Sequence, residues 1–509
     1  MSQTLGILVE TLCREYETKD FLFFPSTGKK YTYHVFYQKV LQIAQGLLSL
    51  GLKKGDFIAI KSLNRPEWIA IEWAAFKIGV VAVGLNANLT SYETEYAIGL
   101  TEAKILFTDD TSLNVKSTLA CRTMGMDEKD YFCREVSKEA EEEINRCQMQ
   151  VEANDPAIVL FTSGTTSKPK AVVLSHQGIV MALQDFNEQT TYSEDDNALV
   201  CAPFSHIMGT LYGVLCMALV GGKITLLERF KTQRVLESIE NEKCSVFLGV
   251  PTMYQYILNE KEGHDLSSLR TGLIAGSCVS KELYERIYYE IGAKEIIQSF
   301  GQTEVLAISM TTMTDAFEKR ATTTGRAIKR AELKIVDIYT KERLPCNQVG
   351  ELMVRTPYAM IGYLKDEEAT KNTVEDSGWI HTGDLAHIDE QGYLHIGARI
   401  KDIIIRCGEN IAPAEIEAAL LKLSEVKEAA VVGVSDSKAA EEICAFIVTD
   451  EKVVHNLDFS VIKEQLSRYL AKFKIPKYII TVSELPTTSS GKVKRHELKT
   501  IFSSLESTC

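Results

Sequence analysis

Thr162-Ser163-Gly164-Thr165-Thr166-Ser167-Lys168-Pro169-Lys170 separates two apolar runs. The run before it, Ala157-Ile158-Val159-Leu160-Phe161, reads as a buried strand, and the run after it, Ala171-Val172-Val173-Leu174, reads as a second. Hydroxyls, a glycine and two lysines between two strands suit a polyphosphate cradle. Backbone N–H groups in a glycine turn form an anion-binding nest, and lysines add positive charge where phosphates would sit. The stretch is not of the G-x-x-x-x-G-K-[ST] form, because the sixth position counted from Gly164 is Pro169. On these residues alone a polar hairpin stands as an equal reading.

Outward from this stretch, strands and helices alternate. Residues 1–30 read as a helix and a short hairpin. A helix starts near Tyr31, with Val35, Val40, Ile43, Ala44, Leu47 and Leu48 at helical spacing, and Gly51 stops it. Phe57-Ile58-Ala59-Ile60 is a strand; Arg65-Pro66 opens a helix through Lys77 that Gly79 ends; Val80–Val83 and Ala103–Thr108 are further strands. Residues 109–150 are charged, and Lys138–Glu143 reads as part of a solvated helix. Downstream, Ser175–Asn187 reads as a helix, Asn197–Pro203 contains a short strand, and Ile207–Val220 reads as a buried helix. Strands at Ile224–Leu227 and Ser245–Val250 alternate with helices at Thr232–Ile239 and from Pro251. This alternation predicts parallel α/β sheets. From Leu333 the texture becomes antiparallel β, with strands at 333–337, 350–354 and 393–396. A compact pattern follows: a helix at Pro413–Leu423, strands at Glu428–Val434 and Ile443–Val448, and a helix at Phe459–Tyr469. The predicted fold is α/β: a large N-terminal domain, residues 1–399, of two α/β sheet subdomains plus a small β region, then a small mobile α+β C-terminal domain, residues 400–509.

Composition narrows the function classes. The chain has 509 residues, enough for two or three domains. A net charge of −13 without a long basic run argues against a nucleic-acid partner. Twelve cysteines without C-x-x-C spacing, the closest pair being Cys121 and Cys133, argue for a reducing compartment, hence a cytoplasmic location, and against a zinc site or disulfide framework. No signal peptide is visible, and the most apolar run, Ile207–Val220, is too short to span a bilayer.

Eight motifs in sequence resemble those of the adenylate-forming superfamily, which comprises acyl-CoA synthetases, adenylation domains and luciferases. They are the opening stretch, Pro203–Gly209, Ala275–Cys278, Ser299–Glu304, Gly378–Asp384, Arg399–Asp402, Cys407–Ile411 and Ser489–Lys492. The resemblance runs from about Tyr31 to Leu498. It implies activation of a carboxylic acid by attack of its carboxylate on the α-phosphate of ATP, so that cations and N–H donors must screen two approaching anions.

The roles the resemblance implies are these. Thr162, Ser163, Gly164, Thr165, Thr166, Lys168 and Lys170 hold the β- and γ-phosphates, and Thr303 contacts the α-phosphate. Glu304, with Thr166, holds Mg²⁺, a hard cation suited to a carboxylate and phosphate oxygens. Gly276, Ser277 and Cys278 face adenine, Phe300 stacks on it, and Gly301 and Gln302 continue that wall. Asp384 and Arg399 take the ribose hydroxyls. Lys492, after Ser489-Ser490-Gly491, reaches the forming phosphorane, and His206 lies by the acyl carboxylate. Lys401 is the hinge about which the small domain rotates, and the Arg406–Asn410 stretch, with Gly408, lines the path of CoA's pantetheine. Tyr212, Gly213, Gly249, Ala275 and Leu306 line the acyl pocket.

Residue by residue, blander readings coexist. Glu304 could be a helix-cap acid, Thr382-Gly383-Asp384 a plain turn, His206 a buried histidine capped by backbone, and Lys492, Lys494 and Arg495 a basic tail. The chain departs from the family at Ser167, where a glycine is usual, at Phe300, where a tyrosine is usual, and at Ala398, where a glycine precedes the hinge arginine. The form of Cys407-Gly408-Glu409-Asn410-Ile411 resembles CoA ligases. The expected function is therefore an acyl-CoA ligase for a fatty or aryl acid, using ATP, Mg²⁺ and CoA. The alternative is a freestanding adenylation enzyme that loads an acyl carrier protein.

Overall fold

The computed structural model describes residues 4–110, 121–126, 135–162, 169–406, 409–423, 425–436, 439–449, 459–488 and 493–506. The chain divides into two compact units: Met1–Ala275, Lys281–Glu332 and Val354–Ile380 form the first, and Gly276–Ser280, Leu333–Met353 and His381–Cys509 the second.

The first unit holds two sheets. One has the strand order Gly362–Tyr363, Lys170–Ser175, Pro156–Thr162, Val81–Leu85, Phe57–Lys61, Ile105–Thr108, Arg122–Gly125. Its centre is parallel, as the strand–helix alternation predicts. Its edge is not: Lys170–Ser175 turns back antiparallel on Pro156–Thr162, with Thr162 opposite Lys170. A parallel return needs a crossover of a dozen or more residues, and the connection here is too short for one. Arg122–Gly125 is a strand inside a stretch whose charge hides it.

The second sheet of this unit has nine strands. Four neighbours, Asn197–Val200, Val246–Gly249, Thr271–Ile274 and Glu295–Gln302, run parallel. Their carboxyl ends therefore share one edge, the usual place for a ligand in an α/β sheet. The expected helix at 207–220 forms with a difference: Met208–Leu215 is π-helical and only Cys216–Leu219 is α-helical. Single π turns inside helices often mark functional sites.

Local chemistry explains the helix ends. Pro66–Ile78 starts on a proline, whose missing N–H costs nothing in the first turn, and ends at Gly79 in the left-handed region, φ +73°. Every residue of this helix is buried. In Tyr33–Ser49 the core face is Phe36, Tyr37, Val40, Leu41, Ile43, Ala44 and Leu47. Val35, expected on it, is 50% exposed because the stripe starts one residue later.

Burial leaves two ionisable groups of the Pro66–Ile78 helix dependent on partners. The Lys77 ammonium donates to Glu10 Oε2 and to Tyr37 Oη, both at 2.9 Å. Glu72 accepts from the Thr210 hydroxyl at 2.6 Å, a residue of the π-helical segment. Loss of solvent pushes the Glu72 carboxyl up to about 7, with the Thr210 hydrogen bond only partly opposing it.

The second unit holds two sheets. Glu332–Val336, Gly350–Arg355, Ile380–Ile388 and Leu394–Arg399 form one, in that order, with strands at all three stretches expected to be β. Ile380–Ile388 corrects the turn reading of Thr382-Gly383-Asp384: these residues lie in a nine-residue strand. The other sheet joins Glu409–Ile411, Ile404–Arg406, Ala440–Val448 and Glu428–Asp436, with Tyr478–Thr481 parallel to Ala440–Val448. Pro413–Leu420 and Phe459–Leu466 cover one face, burying Ile416, Leu420, Ile462 and Leu466. Arg495–Glu506 is a helix on the other face, where Leu498 and Phe502 pack with Val432 and Phe446. It corrects the basic-tail reading for Lys494 and Arg495, because Arg495 donates to Glu417 Oε1 at 2.6 Å and Lys494 pairs with Glu497 at 2.8 Å. No helix among the described residues is long and apolar enough to cross a membrane.

The Glu72 shift makes a stability prediction. The folded state holds this proton more tightly than the unfolded state. Its contribution is therefore full below about pH 4.5, falls as pH rises towards 7, and levels off above that. Two to three pK units correspond to about 3 kcal/mol. Melting temperatures of wild type and Glu72→Gln between about pH 5 and 8 should diverge, the variant gaining as pH rises. A constant difference would contradict the assignment.

Candidate active site

In the first unit, His206, Gly249, Ala275 and Phe300–Glu304 end or follow the four parallel strands at their carboxyl edge. His206 follows Asn197–Val200, where its N–H donates to Pro203 O and its own carbonyl accepts from Gly209 N–H, both at 3.1 Å. The Ala275 N–H donates to Gly249 O at 3.3 Å, joining the ends of Val246–Gly249 and Thr271–Ile274. Phe300, Gly301 and Gln302 end the fourth strand, and Thr303 and Glu304 form the turn that follows it.

That turn is tightly built. The strand Leu306–Met310 returns antiparallel with a bulge between Phe300 and Gly301. A Cβ built on Gly301 would lie 2.2 Å from Leu306 O, so only glycine fits there without moving the returning strand. Leu306 itself has φ +55°, an uncommon conformation for leucine. Its neighbour Ala307 donates its N–H to Tyr212 Oη at 2.7 Å. The Tyr212 ring packs on Phe186 at 4.6 Å between centroids. Tyr212, Gly213 and Leu306 are buried together here; the π-helical segment carries the first two.

Glu304 is half-buried and held twice. Its carbonyl accepts from Met360 N–H at 2.8 Å, and its Oε1 accepts from the Tyr363 hydroxyl at 2.9 Å. No other hydrogen bond reaches the carboxylate among the described residues. A single carboxylate with an uncommitted oxygen fits Mg²⁺, which is commonly bound through one or two carboxylates plus substrate phosphates. Thr162 and Lys170 face each other at the hairpin's end, where the Lys170 ammonium lies 4.6 Å from the centroid of the Tyr363 ring. Tyr96 donates to Pro169 O at 3.4 Å.

In the second unit, Asp384 is 4% exposed and sits opposite Arg399 in register. Arg399 Nε lies 3.0 Å from Asp384 Oδ1. The Asp384 N–H donates to Thr382 Oγ1 at 3.1 Å, and that hydroxyl donates to Leu352 O at 2.7 Å. Gly276, Ser277 and Cys278 are exposed, with the Cys278 thiol 3.9 Å from Gly397 O. Lys401 is exposed in the 3-10 turn Ile400–Asp402. Arg406 donates to Phe473 O at 2.7 Å. Ser163, Gly164, Thr165, Thr166, Ser167, Lys168, Gly408 and Lys492 lie outside the described residues. Thr487 and Val493, on either side of 489–492, form a β-bridge.

Sequence reading missed Tyr363 and Met360. Neither carries a charge or stands in one of the eight motifs, and their link to Glu304 spans more than fifty positions, so only the strand pairing reveals it.

Residues 9–364 match the model of the AMP-binding enzyme, and residues 415–492 match that of the AMP-binding enzyme C-terminal domain. The chain belongs to the AMP-binding enzyme family. It is an adenylate-forming enzyme of the acyl-CoA synthetase kind, and its α/β architecture is that of the family's solved members. YngI of Bacillus subtilis (strain 168) is 35% identical over 97% of this chain and 96% of its own length. The mitochondrial medium-chain acyl-CoA ligase ACSF2 of Danio rerio is 31% identical over 98% of this chain and 88% of its own. Among solved structures, the o-succinylbenzoate CoA synthetase MenE of Bacillus subtilis, in complex with the acyl-adenylate intermediate OSB-AMP, is similar with a TM-score of 0.84. It is 26% identical, and the match covers 98% of each chain. MenE has also been solved with ATP and a magnesium ion.

The Gly301 contact predicts that Gly301→Ala displaces the turn carrying Thr303 and Glu304. Overpacking of this kind typically costs about 1–3 kcal/mol. The variant should melt several degrees lower and lose at least about tenfold in acid-dependent pyrophosphate release, since small misplacements of reacting groups are costly. A variant with wild-type melting and rate would show that the contact relaxes freely.

Proposed function

We propose that this enzyme joins a fatty or aryl carboxylic acid to CoA in two steps with ATP as the activating substrate. A carboxylate oxygen attacks the α-phosphorus, the bond from that phosphorus to the bridging oxygen breaks, and pyrophosphate leaves. The sulfur of CoA then attacks the acyl carbonyl, its proton is lost to solvent or a base, and AMP leaves. The observation that carries this reading is the Gly301–Leu306 turn. It holds Thr303 and Glu304 at the carboxyl edge of the sheet, the same edge at which His206, Gly249 and Ala275 end or follow their own strands.

Roles follow from chemistry at named atoms. Thr303 Oγ1 donates to the α-phosphate. Glu304 would hold Mg²⁺ through its carboxylate, with Thr166 as a second ligand; when bound, the ion neutralises phosphate charge. Residues 162–170 grip the β- and γ-phosphates. Gly276, Ser277, Cys278 and Phe300 receive the adenine, and Gln302 borders it. Asp384 accepts from ribose hydroxyls, and Arg399, paired with it at 3.0 Å, keeps that carboxylate oriented. His206 orients the acid's carboxylate. Lys492 brings a positive charge to the transition state, and rotation of residues 400–509 about Lys401 removes it for thioester formation. Gly408 leaves room for pantetheine. Tyr212, Gly213, Gly249, Ala275 and Leu306 border the acyl chain. The described cysteines are free thiols, which suits a reducing, cytoplasmic setting.

The test is ATP-dependent pyrophosphate release across a panel of fatty and aryl acids, with and without CoA. Acid-dependent release with acyl-CoA as product is expected. Release without acyl-CoA would point instead to loading of a carrier protein. Lys492→Ala should slow acyl-adenylate formation about 10²-fold or more, the scale of losing one transition-state charge contact. Thioester formation from supplied acyl-adenylate should be spared, and equal loss in both half-reactions would contradict the assigned role.

A further inference from the structure

We infer that Tyr363 is a positioning residue that aims the Glu304 carboxylate at the ATP-bound cation and keeps Lys170 away from it. The inference rests on the metal role proposed above for Glu304.

Tyr363 is fixed without help from Glu304. Gly362–Tyr363 pairs antiparallel with Lys170–Ser175, Gly362 opposite Val173 and Tyr363 opposite Val172. The flanking residues lock this register, Ile361 N–H donating to Val173 O and Leu364 N–H to Ala171 O, both at 2.8 Å. The Tyr363 N–H donates to Thr370 Oγ1 at 2.9 Å. The side chain is 8% exposed, so its hydroxyl must find a partner inside the protein. That partner is Glu304 Oε1 at 2.9 Å. Because Met360 N–H clamps the Glu304 carbonyl at 2.8 Å, backbone and carboxylate of one residue are both held from the same short segment.

The identity of the donor matters. A lysine or arginine at this place would neutralise the carboxylate and compete with a cation. A phenol restrains one oxygen and leaves the negative charge, with the other oxygen available. Metal-binding carboxylates are themselves usually hydrogen-bonded, and losing that partner typically costs 10- to 100-fold in metal affinity or activity. Lys170 is a candidate for a competing cation, and the Tyr363 ring already occupies it: the ammonium lies 4.6 Å from the ring centroid, a favourable cation–π distance. Lys170 makes no ion pair with Glu304 among the described residues. The one ring thus orients the acid with its hydroxyl and holds the base with its face.

Tyr363→Phe and Tyr363→Leu separate the two contributions. The readout is binding of Mn²⁺, as a spectroscopic stand-in for Mg²⁺, followed by electron paramagnetic resonance in the presence of a non-hydrolysable ATP analogue. Tyr363→Phe should weaken Mn²⁺ binding about tenfold, and the Mg²⁺ concentration for half-maximal pyrophosphate release should rise in parallel. The KM for the acid should not change. Tyr363→Leu should weaken Mn²⁺ binding further, because Lys170 is then able to turn to Glu304. A wild-type Mn²⁺ titration in Tyr363→Phe overturns the inference, including when its melting temperature falls, since that combination marks a purely structural role. Glu304→Gln distinguishes the two levels. If it keeps wild-type Mn²⁺ binding, the proposed metal role of Glu304 fails. If it loses binding while Tyr363→Phe does not, only the role of Tyr363 fails.

Discussion

The close approach of Gly301 to the Leu306 carbonyl is the constraint on which the candidate site depends. It leaves no room for a side chain at 301, and with Leu306 in the left-handed region it shapes the turn between two antiparallel strands. Tyr212, Met360 and Tyr363 are all tied to that turn. Tyr212 accepts from Ala307 on its far side and carries the π-helical segment with it. Met360 and Tyr363 hold Glu304 on its near side. A site that must stabilise charge in a transition state gains most when its groups need not reorganise, and this turn has little freedom to do so.

Charge is distributed to match. The chain is acidic overall, with a net charge of −13, yet the reaction brings a carboxylate to a polyphosphate. The positive groups that answer this are local. Lys170 stands at the end of the hairpin, and Arg399 sits against Asp384 in the second unit. Each is restrained by a partner that does not cancel the neighbouring acid's function: a ring face for Lys170, and a carboxylate needing orientation for Arg399. Deeper in the fold, Lys77 and Glu72 show the other fate of buried charge. One is stabilised by a carboxylate and a phenol, and the other is pushed towards neutrality.

Much of this was legible in the sequence, for identifiable reasons. The helix Pro66–Ile78 announced itself by Pro66 and Gly79, whose backbone requirements are local. The parallel centres of both sheets followed from strands alternating with helices. The eight motifs gave the family because their order carries more information than any one of them. What escaped was non-local or disguised. Ile380–Ile388 hid as a turn because two of its inward positions are Thr382 and Asp384, so the period-two pattern reads as polar. The π turns at Met208–Leu215 have the composition of an α-helix. Lys170–Ser175 reads as a strand either way, and only the length of its connection decides its direction. Tyr363 has no signature, since its role is set by pairing with a strand some 190 positions earlier.

The central claim is that the acid's carboxylate attacks the α-phosphorus of ATP. Supplying an acid labelled with ¹⁸O in both carboxylate oxygens, together with ATP and CoA, and analysing the products by mass spectrometry tests it directly. One ¹⁸O atom should appear in AMP, one should remain in the acyl-CoA, and none should enter pyrophosphate. Label in pyrophosphate or inorganic phosphate, with unlabelled nucleotide, would place the attack on another phosphorus and contradict the account.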